Sequence, residues 1–158
     1  MDDIDQLDLI EPAKSGAIIL KSKHPDIIFT SGRRTRTSQA HAMAVNVAAD
    51  RNWIKTTYRQ SPETIACQNW VDSNPAAVTV DDLNNGLLTV LNNFTDVQLA
   101  DWNHHLAGLA FDVQPQIPNA EAIKADIRAL PNLNLFLEQE GHLVRWHAQF
   151  NPLPINIA

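Results

Sequence analysis

The sequence predicts an α+β domain: a small, mainly antiparallel sheet with helices packed on one side. Three observations carry that expectation. Helix signals dominate the N-terminal half, period-2 runs of apolar residues come later, and two of those runs flank a Gly-His pair in the manner of a hairpin. The 158 residues suit one domain, 1–158, with a helical insertion at about 55–100.

In chain order, Pro12 suits the first turn of a helix running to about Lys21, which Gly16 weakens. Asp26 to Thr30 reads as a short strand ended by Ser31-Gly32, and the Ala-rich stretch Ser38 to Asp50 reads as a helix. Ser61-Pro62-Glu63 supplies an N-cap, a first-turn proline and an acidic first turn for a helix to about Asp72. Thr79 and Asp82 open another, in which Leu83, Leu87, Leu88, Val90, Leu91 and Phe94 recur at helical spacing. Thr95 and Gln98 have capping-box spacing for a short helix through Trp102. Leu109 to Val113 alternates as a strand, Asn119 caps a helix through about Leu130, and Pro131 stops it. The tail, residues 151–158, reads as extended.

The last period-2 runs carry most information. Leu133, Leu135 and Leu137 alternate with Asn134, Phe136 and Glu138. Val144, Trp146, Ala148 and Phe150 alternate with Arg145, His147 and Gln149. With Gly141-His142 as the turn, Glu140 faces Leu143, Glu138 faces Arg145 and Phe136 faces His147. The Leu/Val/Trp/Phe face then belongs to the core, and the other face presents Glu138, Arg145 and His147 together. A one-residue slip would bury those three groups and expose Trp146.

Composition narrows the function classes. A hydrophobic share of 44% against 19% charged residues is enough for a core and excludes a disordered acidic linker. A net charge of -6 argues against an electrostatic grip on nucleic acid or on an anionic membrane. One cysteine, Cys67, excludes an internal disulfide and a cysteine-based zinc or iron–sulfur site, and reads as a buried inert thiol. The N-terminus lacks the basic and apolar regions of a signal peptide, so synthesis in the cytoplasm without one is expected. Six histidines are left to do metal chemistry.

Taken singly, His105 reads as a structural or exposed histidine. Asp112 is less ordinary, because a carboxylate between Phe111 and Val113 needs a cation or donors, and Arg34 or Arg145 could supply them. His24, His41 and His142 read as exposed, packed or turn histidines, and Arg33 and Arg36 as a solvated basic turn.

Together, His105-Leu106-Ala107-Gly108-Leu109-Ala110-Phe111-Asp112 spell H-x-x-G-x-A-x-D. That pattern resembles the zinc-binding segment of the D-Ala-D-Ala carboxypeptidase and L-Ala-D-Glu peptidase family, peptidoglycan hydrolases that share a fold with the hedgehog signalling domain. The resemblance implies that fold, and a Zn2+ ion on His105, Asp112 and a strand histidine, here His147, with a fourth position left for water. Such a metal lowers the pKa of water towards ~7. His104 could exchange with His105, but only His105 has Gly and Asp at the matching offsets.

Thr30-Ser31-Gly32-Arg33-Arg34 is similar to the family's S-G-Y-R segment, with Arg33 where an aromatic is usual, and Gln39 follows at a spacing also seen there. The match implies that Arg34 contacts substrate or the polarised carbonyl oxygen, a role suited to a guanidinium. It also implies a general base, met by Glu138 with Glu140 as the fallback. Two departures stand out. Arg145 replaces the first histidine of the usual H-x-H, where it could stabilise an oxyanion or pair with Glu138. Asn103-His104-His105 replaces S-x-H, and Asn103 can still hydrogen-bond. The implied function is zinc-dependent hydrolysis of a peptidoglycan stem peptide by a monomer with no nucleic-acid or membrane partner. Release to the cell wall through a phage pore or a secretion machine is expected. A non-catalytic zinc domain that recognises peptide or wall fragments is the alternative.

Overall fold

The computed structural model describes residues 3–140 and 143–153. Its elements, in order, are α1 (Asp3–Gln6), α2 (Ala13–Lys23), β1 (Phe29–Ser31), α3 (Arg36–Ala49), α4 (Trp53–Thr57), α5 (Pro62–Ser73) and α6 (Val80–Leu91). There follow α7 (Asp96–Trp102), α8 (His104–Ala107), β2 (Ala110–Val113), α9 (Ala120–Arg128), β3 (Leu133–Glu140) and β4 (Leu143–Phe150). The class is α+β, as expected, with a four-stranded antiparallel sheet in the order β1-β2-β4-β3. The chain divides into two compact units, Met1–Arg33 with Ala107–Ala158, and Arg34–Leu106. No helix among the described residues is long and apolar enough to cross a membrane.

The first unit holds the whole sheet. One sheet face presents Phe111, Ala148 and Phe150 to α2 and α9, whose Ala13, Ala17, Leu20, Ile123 and Ile127 complete a buried core. Small residues on α2 let it lie close: a Cβ on Gly16 would stand 2.9 Å from the Phe150 ring.

The hairpin register departs from the alternation read in the sequence. Glu140 faces Leu143, as read, but between the Leu137–His147 and Gln139–Val144 pairs one residue of β3, Glu138, opposes two of β4, Arg145 and Trp146. Beyond that bulge Phe136 faces Ala148, and Leu137 faces His147. Phe136 therefore packs on the core, while Leu135 is 42% and Val144 69% exposed. The expected pairs of Phe136 with His147, and of Leu135 and Val144 with the core, are thus corrected. An extra residue reverses alternation past its position, and no periodicity in the sequence marks where it falls. The Gly141-His142 turn and residues 154–158 of the tail lie outside the described residues.

The second unit is helical, and its ends are closed by its own side chains. Thr35, Ser61, Thr79 and Thr95 each accept a hydrogen bond from the backbone N–H three residues on, with full capping boxes at Thr35/Ser38 and Thr95/Gln98. Thr35 starts α3 at Arg36, two residues before the expected Ser38. Leu83, Leu87, Val90 and Leu91 form the buried stripe of α6, packed with Ala40, Met43, Ala44 and Val47 of α3. The helices at about 55–100 fall inside this unit, which begins well before them. Three short helices, α1, α4 and α8, lie outside the helices expected from the sequence; single turns such as these depend on their surroundings for stability.

Candidate metal centre

Asp112 and His147 are cross-strand partners on β2 and β4, so their side chains share the sheet face opposite Phe111 and Ala148. Both are buried. Asp112 Oδ1 lies 2.9 Å from His147 Nδ1, and the far ring nitrogen, Nε2, lies 2.9 Å from Gln149 Oε1. Arg145 Nη1 stands 3.9 Å from Asp112 Oδ2 and 3.9 Å from Glu140 Oε2. A carboxylate in an otherwise apolar strand is stabilised by these partners. Burial alone would lower the basicity of His147. The hydrogen bond and charge of Asp112, the charge of Glu140 and the Gln149 bond outweigh it and hold the ring's pKa above its ordinary value.

His105 enters through α8. The Asn103 side chain Oδ1 accepts from the His105 backbone N–H at 2.9 Å, closing the start of that turn. Gly108, at φ 76°, then lets the chain leave α8 for β2, a left-handed conformation that costs other residues energy. The H-x-x-G-x-A-x-D spacing is thus a helical turn, a glycine reversal and a strand. His105, Asp112 and His147, all buried, each offer a ligand atom, and these atoms lie within 4.8 Å of one another, so the cluster could hold a metal ion. Two imidazoles and one carboxylate form an N,N,O donor set that suits first-row divalent cations.

The other expected site residues fall in different places. Arg34 donates its backbone N–H to the His105 carbonyl at 3.0 Å, and its Nη1 to Gln39 Oε1 at 3.2 Å. Gln39 is fully buried and donates to the Tyr58 hydroxyl at 3.0 Å. Glu138 is turned away from this cluster. Its carboxylate, 46% exposed, meets Lys124 at 2.6 Å and Arg128 at 2.7 Å, both on α9. The Lys124 hydrogen bond above all, then the two cationic charges, hold its carboxyl below the usual range. Glu140 is the carboxylate beside Arg145, only 12% exposed, with Oε2 buried and making no hydrogen bond. The bulge separates these two glutamates, for the reason given above.

Arg33 and Arg36 are not a solvated turn. Arg33 reaches Asp8 and the Ala107 carbonyl, and Arg36 reaches Asp96 and the Leu91 carbonyl. His41 is exposed, whereas His24 is largely covered and bonds Asp126 at 2.7 Å. Cys67 is buried, its thiol pushed up to about 12 by burial and then by Glu63, so it offers no thiolate. Sequence reading assigned no role to Gln149; its place on the Arg145–His147–Gln149 alternation was the available signal. No protein-family model, curated protein or solved structure matches this chain.

Proposed function

We propose that the protein is a zinc-dependent peptidase that hydrolyses a peptide bond in bacterial peptidoglycan stem peptides, of D-Ala-D-Ala carboxypeptidase or L-Ala-D-Glu endopeptidase type, with the hedgehog/DD-peptidase fold. The observation that carries this reading is the buried His105–Asp112–His147 cluster. It joins the two halves of a resemblance that the sequence spreads over forty-three positions, and its donor set suits zinc. A zinc ion held there supplies Lewis acidity and water of lowered pKa, near ~7.

The chain's own groups divide the remaining work. Glu140, with a buried oxygen free of hydrogen bonds, accepts the water proton and returns it to the leaving amine. Arg145, 3.9 Å from that oxygen, pairs with the carboxylate and offers donors to a developing oxyanion. Arg34, tied by its backbone to His105 and braced by Gln39, binds the substrate carboxylate or carbonyl. Asn103 acts by starting α8 rather than by touching substrate.

A second reading, a zinc-binding domain that recognises wall peptides without cutting them, has Arg145 in its favour. Its guanidinium pairs with Glu140, the carboxylate that would otherwise take the proton. Incubation with purified peptidoglycan separates the two. The peptidase releases new amino groups, chelation stops it, and mass spectrometry reports one terminal alanine lost or whole stems freed. Intact muropeptides at high protein concentration, with zinc bound, would establish the binding domain. Absence of bound zinc from both wild type and His147→Ala removes the metal centre itself.

A further inference from the structure

The polar contacts of His147 continue outward on the side away from Asp112. Its Nε2 lies 2.9 Å from Gln149 Oε1. Gln149 Nε2 donates to Asn134 Oδ1 at 2.8 Å, and Asn134 Nδ2 donates to Asn151 Oδ1 at 3.0 Å. Each amide donates outward and accepts inward, so the chain turns the Gln149 carbonyl oxygen towards the histidine. Gln149 is half-buried, while Asn134 and Asn151 are exposed. The innermost bond is therefore the one least open to competition from water.

The two faces of the ring differ accordingly. Nδ1 faces Asp112, a member of the metal-ligating cluster, at 2.9 Å. Nε2 faces a carbonyl oxygen, which can only accept. An imidazole that ligates through one nitrogen carries its proton on the other, and an acceptor there fixes both the tautomer and the ring plane.

We infer that Gln149 is the positioning residue of the metal centre: its side-chain oxygen accepts from His147 Nε2–H and commits Nδ1 to the metal. This rests on the reading of His105, Asp112 and His147 as a metal site and deepens it. Gln149 touches neither metal nor substrate. Its effect reaches the ion through the orientation of one ligand.

Zinc affinity measured by competition with a chromophoric chelator tests this on the full chain. Wild type binds zinc, Gln149→Met binds it about 10–100-fold more weakly, and Gln149→Glu, which keeps an acceptor, recovers most of the loss. Long-range 1H–15N correlation spectra of the zinc-loaded wild type show His147 protonated at Nε2, a readout that needs no variant. Zinc-loaded His147 protonated at Nδ1 would overturn the inference. So would a folded Gln149→Met that binds zinc as tightly as wild type. If wild type binds no zinc, the metal-centre reading falls, and this inference falls with it.

Discussion

Glu138 and Glu140 stand two residues apart on one strand, yet their surroundings assign them opposite work. Glu138 is spent on Lys124 and Arg128, whereas Glu140 keeps a buried oxygen without a hydrogen bond beside Arg145. Glu140→Gln is expected to cut hydrolysis of peptidoglycan by about 10²–10⁴-fold while zinc stays bound, the range typical of a lost general base. Glu138→Gln leaves turnover within a few-fold of wild type. Parallel assays of both variants, with zinc content measured on the same samples, decide between them. Reversed effects would return the base to Glu138.

Glu138 matters at the scale of elements, because its contacts join β3 to α9. Its carboxyl is held below the usual range by the Lys124 hydrogen bond, so its contribution is present above that range and fades as pH falls through the lowered value. Lys124 is raised, chiefly by the same bond, so its contribution is full below the ordinary lysine range and fades as pH rises through the raised value. Thermal scans across pH therefore lose stability at both ends, and Glu138→Gln flattens both limbs. Exposure keeps the effect small. An unchanged pH profile in that variant would show that the cluster contributes nothing measurable.

The turn between α8 and β2 makes a sharper demand. Gly108 sits at φ 76°, and a Cβ there would stand 2.6 Å from Arg33 Nη2. Gly108→Ala is expected to cost about 1–2 kcal/mol for the left-handed backbone alone, which lowers Tm by about 2–8 °C in a chain of this size. Differential scanning calorimetry reads it, and an unchanged Tm would mean that the turn relaxes freely. The capped helices required no such test to be foreseen. Ser61, Thr79 and Thr95 announced their helices because a cap is a local hydrogen bond between residues three apart. The bulge in β4 is the opposite case, since it arises from pairing with a strand whose own side chains must reach α9.

At the scale of the molecule, two buried cores form, one around the sheet and one among α3 to α7. A ligand that binds only the native chain stabilises it by mass action. Zinc at a hundred times its dissociation constant is expected to add about 2.7 kcal/mol and to raise Tm by about 5–11 °C. His147→Ala abolishes that rise. A zinc-dependent shift that survives in His147→Ala would place the binding elsewhere.

Local spacing determined the α+β class and most helix starts, because each depends on residues a few positions apart, whereas the segment from His105 to Asp112 was legible only through its resemblance to a zinc-binding motif. The pairing of Asp112 with His147, the exchange of Glu138 for Glu140 beside Arg145, and the carbonyl of Gln149 behind His147 were decided only by tertiary structure. Strand register depends on where a bulge can be tolerated between a packed core face and a polar face. That balance is set by contacts across thirty residues and more, which no periodicity within one segment can report.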